Sequence, residues 1–379
     1  MRVLFDHQIF SYQTFGGASR YFAELMNVFH REGDPAFDLG VAESPNEYLA
    51  RAPYYRGRSV ARTGTLGFLR TYLRNELHTR TIARRRPHDI VHATFYDPGF
   101  LRTLHGSKLV VTVLDMIPEH FPEYFDVTGP YGRLVTRRWI EGKRTLCHQA
   151  DVILAISEHT KRDLVACYGI DPARITVTHL GNSLAGGADR PRPDGFPGRY
   201  LLFVGTRNTY KNFGFFVEAA APLLAEDPAL GIVCIGGGQL APEELALIAR
   251  HGLAGRVAQR SVADHELAAC YAHARAFVFP SLYEGFGIPI LEAFACGCPA
   301  LVANASCFPE IAGDAAAYFD PADRDSLRSA LRRVLVDRAY AEALREQGLA
   351  RAKVFTWEQT ARRTLDAYRA VTRSRSAAA

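Results

Sequence analysis

Two glutamates, Glu284 and Glu292, stand on either side of a glycine- and proline-bearing turn in "SLYEGFGIPILEAFACGCP" (281–299). The turn follows an apolar run, and Pro289 suits the first position of a helix, so the spacing predicts a strand-loop-helix junction. Such a junction presents backbone N–H groups and the positive end of a helix dipole, and Gly285 and Gly287 let a ligand approach the chain closely. A phosphate is the guest that fits. Glu284 in the loop and Glu292 in the first helical turn bracket that anion and can accept hydrogen bonds from hydroxyls on its two sides, a sugar and a ribose. Opposite charge is supplied by "FVGTRNTYKNF" (203–213), where Arg207 and Lys211 follow another apolar run. Cations placed there stabilise a departing diphosphate.

Other chemistry fits these residues less well. A glycosidase pair flanks one bond at ~5–10 Å, whereas a phosphate-binding helix start separates these two carboxylates. "DRD" (323–325) opens a helix and reads as a cap, not a metal motif. Gly16-Gly17 lacks the remaining glycines of a nicotinamide-binding fingerprint. Cys296-Gly-Cys298 has no second Cys or His pair at zinc spacing and reads as packing. Neither a metal nor another cofactor is expected.

The elements that must position these groups alternate between strand and helix, twice. In the first half, residues 2–10, 89–95, 108–115 and 151–157 read as strands. A helix over 18–31 places Tyr21, Phe22, Leu25, Met26 and Phe29 on one face, and another opens at Ser157 and closes on Gly169. Residues 182–198, rich in Gly, Pro and Asp, break the rhythm and read as a linker. The second half repeats it: strands at 199–206, 230–238 and 275–281, with helices at 212–225, 241–251 and from Pro289 onward. "TWEQ" (356–359) fits the capping box of a last helix. The expected fold is therefore α/β with two doubly wound, Rossmann-like domains facing across a cleft. Their bounds are 1–181 and 199–355, with the helix of 356–379 crossing back to the N-terminal domain. Ligands of such folds bind at the carboxyl ends of the strands.

Bulk properties agree with two globular domains. The chain has 379 residues, 48% hydrophobic and 22% charged, with a net charge of +5. No run of ~18 uncharged apolar residues could span a bilayer. The first residues carry Asp6 and His7 and do not resemble a secretory signal. Seven cysteines, an odd number mostly in apolar stretches, point to a reduced, cytoplasmic protein. Between Arg51 and Arg86 ten arginines face one acid, Glu76. The aromatics there, Tyr54, Tyr55, Phe68 and Tyr72, match no RNA-binding motif, and no nucleic acid is expected. Leu66, Leu69, Leu73 and Leu77 instead fall on one helical stripe with Arg70 and Arg74 off it. That pattern suits peripheral contact with an anionic membrane, with a solvated helix face as the plain alternative.

"EGFGIPILEAFACGCP", preceded by "GTRNTYKN" and by "GGASRY" near the start, resembles the retaining glycosyltransferases of family 4, which have the GT-B fold. The similarity runs through most of the chain and is strongest from Tyr200 to Pro321, where "NASCFPEIAGDAAAYFDP" (304–321) also follows the family pattern. The resemblance implies a hexosyltransferase of bacterial O-antigen, capsule or exopolysaccharide assembly, with a GDP-sugar donor and a glycan or lipid-linked acceptor. It implies that Glu284 binds hydroxyls of the transferred sugar and Glu292 the ribose. Arg207 and Lys211 would hold the diphosphate with the backbone of Gly285, Phe286, Gly287 and Ile288, while Gly16 and Gly17 close over the phosphates. Residues Arg260–Val262 would frame the base, and Asp115 and His92 would line the acceptor side. One departure stands out: Leu114 occupies a position where the family carries a donor-contacting histidine, which opens the donor to 6-deoxy sugars. An epimerase of the same fold and a non-catalytic sugar-nucleotide or glycan-binding module are the alternatives.

Overall fold

The computed structural model describes residues 1–61, 64–104, 106–124, 129–207 and 209–376. Arg62, of the arginine strip, and Asn208, of the 203–213 motif, lie outside the described residues. The chain divides into two compact units, Met1–Gly181 with Trp357–Ala379, and Asn182–Thr356.

The N-terminal unit is built on strands β1 (Arg2–Phe5), β2 (Ala36–Leu39), β5 (Ile90–Ala93), β6 (Lys108–Val113), β7 (Val152–Ala155) and β8 (Ile175–Val177), with a short ribbon of β3 (Glu43–Ser44) and β4 (Arg58–Ser59) beside them. All pairings are parallel, in the order β2-β1-β5-β6-β7-β8. A parallel sheet is covered by helices on both faces, so its strands are apolar throughout; Val3, Leu4 and Phe5 are fully buried. The expected strand over 2–10 stops at Phe5. Asp6 is the reason: its carboxylate accepts a hydrogen bond from the Gln8 backbone N–H at 2.9 Å, turning the chain into a short helix, Gln8–Tyr12. The helix Gly17–Glu32 follows, with Tyr21, Phe22, Leu25, Met26 and Phe29 on its buried face. The last helix, Trp357–Ser376, packs on that helix and on β6 and β7.

The C-terminal unit holds β9 (Arg199–Val204), β10 (Leu230–Ile235), β11 (Val257–Arg260), β12 (Ala276–Phe279), β13 (Ala300–Ala303) and β14 (Ala317–Phe319). Their order is β11-β10-β9-β12-β13-β14, again all parallel. Residues 182–198 form no regular element and lie on this unit instead of hanging free. The Arg260 guanidinium donates to the Gly195 carbonyl at 3.0 Å, and a side chain at Gly187 would meet the Ala268 carbonyl. In each sheet the strand order reverses once, between β1 and β5 and between β9 and β12. The loops leaving two such strands diverge to opposite faces and open a crevice at the carboxyl edge.

Candidate active site

At the C-terminal unit's crevice the loop after β9 meets the loop after β12. Lys211 ends the first loop, and its ammonium donates to the Glu284 carboxylate in the second. Both side chains are largely shielded from water, and the Lys211 Nζ also lies 5.2 Å from the Tyr210 ring centre and 5.5 Å from that of Phe279. Two residues of the 304–321 stretch fix Glu284. Ser306 Oγ donates to its carbonyl at 2.6 Å and accepts from its N–H at 3.1 Å, and the Cys307 thiol also donates to the carbonyl. The helix Ile288–Ala295 begins immediately after. Its cap is Gly287, at φ 91°, where a Cβ would press on Ile290 and Phe279. Gly287 has no side chain with which to cap this end, where the helix dipole is positive.

Two expectations for this unit, those for Glu292 and Arg207, are revised by the geometry. Glu292 is in the second turn of its helix, not the first, and is buried; the Tyr271 hydroxyl donates to its carboxylate at 3.1 Å. Phe286 turns its ring into the core against Phe355, in keeping with the backbone role expected of it. Arg207 does not present a free guanidinium. It donates to the Glu244 carboxylate at 2.8 Å and to the carbonyls of Gly236 at 2.8 Å, Gly238 at 2.9 Å and Gln239 at 2.8 Å. Gly236, Gly237 and Gly238 are all left-handed, a turn that only glycines make without strain, and Arg207 gathers its carbonyls. Val262 lies half-buried just beyond β11, next to Arg260.

In the N-terminal unit Gly16 caps the helix Gly17–Glu32 at the carboxyl end of the β1 loop, and a Cβ there would strike the Gln13 side chain. Asp115 is half-buried just beyond β6, its carboxylate accepting the Ile117 N–H at 3.1 Å, with Leu114 half-buried beside it. His92 is a correction: it lies wholly inside the core. Its Nδ1 pairs with the Tyr368 hydroxyl at 2.5 Å and its Nε2 with Thr112 Oγ1 at 2.8 Å, tying the last helix to the sheet. Burial pushes its pKa down to about 3, so it stays neutral near pH 7 and faces the core, not a crevice. Asp6, equally buried and hydrogen-bonded by Thr94, is pushed up to about 6 by burial. All seven cysteines are free thiols; Cys296 and Cys298 are buried, and burial raises the Cys296 thiol to about 12.

Comparison with known proteins supplies a family. The model described as "Glycosyl transferases group 1" matches residues 195–351, and that described as "Glycosyltransferase Family 4" matches 15–184. O-antigen chain mannosyltransferase B of Escherichia coli is 28% identical over 344 residues, covering 85% of this chain and 88% of that protein. A D-inositol 3-phosphate glycosyltransferase of Nocardioides is 30% identical over 315 residues, covering 74% and 67%. Among solved structures, sucrose-phosphate synthase from Thermosynechococcus elongatus superposes with a TM-score of 0.74 at 18% identity, covering 98% of this chain and 99% of that one. The architecture is that of the GT-B glycosyltransferases.

Proposed function

Because this chain belongs to glycosyltransferase family 4, we propose that it is a retaining, metal-independent hexosyltransferase acting on a bacterial surface polysaccharide. The observation that carries this reading is the Lys211–Glu284 pair at the β9/β12 crevice, beside a glycine-capped helix start. A nucleotide-diphosphate sugar matches those groups in order. Lys211 takes the diphosphate, the helix start adds its dipole, and Glu284, released from Lys211, accepts from hydroxyls of the sugar. The bond from C1 to the diphosphate oxygen breaks with its electron pair leaving on that oxygen. The acceptor hydroxyl closes on C1 from the same face, and its proton passes to the departing phosphate. Arg207 acts one step back, by shaping the glycine turn.

The mannosyltransferase relative favours a GDP-mannose type of donor, and Leu114 favours an apolar group at the sugar's 6-position. The helix Gly64–Arg85 suits an acceptor held at an anionic membrane: Leu66, Leu69, Leu73 and Leu77 are 84%, 49%, 54% and 66% exposed. Among the described residues no helix is long and apolar enough to cross a bilayer. The test is incubation of purified protein with GDP-mannose, its 6-deoxy counterpart and UDP-glucose. Cleavage of a GDP-sugar, with a matching rise in melting temperature for GDP over UDP, is the expected outcome. Binding without any turnover would favour a non-catalytic module.

A further inference from the structure

The other crevice, between β1 and β5, collects aromatic rings. Tyr12 ends the short helix after β1, and Phe95 lies in the loop after β5. Phe68 and Tyr72 reach them from the helix Gly64–Arg85, and Trp139 from the helix Gly129–Gln149. Ring centres lie 5.6 Å from Tyr12 for Phe68, 5.7 Å for Tyr72, 5.1 Å for Phe95 and 6.4 Å for Trp139, while Phe95 and Trp139 are 5.7 Å apart. Aromatic rings this numerous ordinarily fill a core, as Phe5, Phe22 and Phe29 do here. These five are only half-buried, so the cluster is a platform that keeps part of its surface in water.

Polar groups stand at its rim. The Asp97 carboxylate accepts from the Tyr72 hydroxyl at 3.0 Å and lies 3.8 Å from the Arg138 guanidinium. Asp97 is itself fastened: its N–H donates to Gln8 Oε1 and its carbonyl accepts from Gln8 Nε2, both at 2.9 Å. Ile9 N–H donates to Thr94 Oγ1, joining the two loops.

We propose that this aromatic platform, with Asp97 and Arg138 at its edge, is the docking subsite for a pyranose ring of the glycan acceptor. A pyranose presents one face of C–H groups, which lie against aromatic rings, and a girdle of hydroxyls, which suit a carboxylate acceptor and a guanidinium donor at the rim. The carboxyl-edge crevice of a doubly wound sheet is where ligands bind, and rings with few rotatable bonds lose little entropy on ordering. The proposal rests on the glycosyltransferase reading for its choice of a glycan.

Trp139 makes the test direct, because the other tryptophan, Trp357, is buried against Tyr21. Purified full-length protein without nucleotide is titrated with α-linked manno-oligosaccharides of two to four residues while its tryptophan emission is followed. A saturable change is expected in wild type and is lost in Trp139→Phe. In transfer assays Trp139→Ala and Phe95→Ala raise the acceptor KM by ~10-fold or more, with kcat at saturating acceptor within about threefold of wild type. Emission changed by GDP alone, to the same extent as by oligosaccharide, would make the platform a base-stacking site and overturn the proposal. So would a wild type that cleaves a sugar nucleotide while no oligosaccharide alters its emission, an outcome that leaves the proposed function standing. A protein that cleaves no sugar nucleotide fails the proposed function instead, whatever its emission does.

Discussion

Lys211 and Glu284 neutralise one another, each holding the other in place at the β9/β12 crevice. Removing either leaves its partner's charge poorly compensated and, on the proposed function, removes a contact made in the transition state. Lys211→Ala and Glu284→Ala should each lower turnover by ~100-fold while the protein stays folded. Glu292 needs a gentler change. Glu292→Ala strips a partner from the buried Tyr271 hydroxyl and should cost ~1–3 kcal/mol of stability, whereas Glu292→Gln keeps an acceptor there and isolates any effect on nucleotide affinity. Calorimetric melting beside steady-state kinetics separates the two effects. His92 predicts a pH dependence. Its folded pKa, about 3, lies below its ordinary value of 6.5, so between these the unfolded chain binds the extra proton. Its contribution to stability is complete above pH 6.5 and is lost as pH falls toward 3. Asp6 acts in the opposite sense, losing stability as pH rises from its ordinary 3.8 to about 6. A His92→Gln variant retains the Asp6 effect, so its melting temperature should fall less steeply than that of wild type from pH 6.5 to 4. Identical slopes would contradict the buried, neutral His92. The sequence made Glu284 legible because its glycines, proline and helix are contiguous. His92 misled because a parallel strand buries both faces, leaving no solvent side for a polar residue to mark.

The helix Gly64–Arg85 has two working sides. Phe68 and Tyr72 join the aromatic platform, while the four leucines form an uncovered stripe flanked by the exposed Arg70 and Arg84. Arg74 does something else. It donates to the carboxylate of Glu43, a buried residue, at 2.8 Å, so reversing its charge would set two carboxylates together and damage the fold. Membrane contact is therefore tested with Leu69→Ser and Leu73→Ser for insertion, and with Arg70→Glu for charge. Each should weaken co-sedimentation with anionic vesicles several-fold, and salt should do the same to wild type only in part, because the leucines persist. Equal binding of wild type and variants to neutral and anionic vesicles would show a merely solvated face. The leucine stripe was readable from helical spacing. Its partner surface was not, because Tyr12, Phe95 and Trp139 come from segments far apart in the chain and carry no local pattern. The hold of Arg207 on the glycine turn was hidden for the same reason, its partners lying about thirty residues on in the chain.

At the scale of the molecule, two parallel sheets each reverse strand order once, and the groups with chemistry lie at those reversals: Lys211 and Glu284 in one unit, the aromatic platform in the other. The alternation of short apolar runs with amphipathic helices made both sheets legible in the sequence, since a strand covered on both faces must be apolar throughout. Strand order was not legible, because it depends on how crossovers pack. The short segment after β1 also escaped, its turn being set by a side chain, Asp6, hydrogen-bonding its own neighbour. The proposed reaction is hexosyl transfer with retention, driven by Lys211 and a helix dipole in place of a metal. It is tested most directly by following one reaction, with an α-linked sugar nucleotide and excess EDTA, by NMR at the anomeric centre of the product. Undiminished transfer and a one-bond carbon–hydrogen coupling of the α configuration are expected; a β-linked product, or a reaction abolished by EDTA and restored by a divalent cation, would refute metal-free transfer with retention.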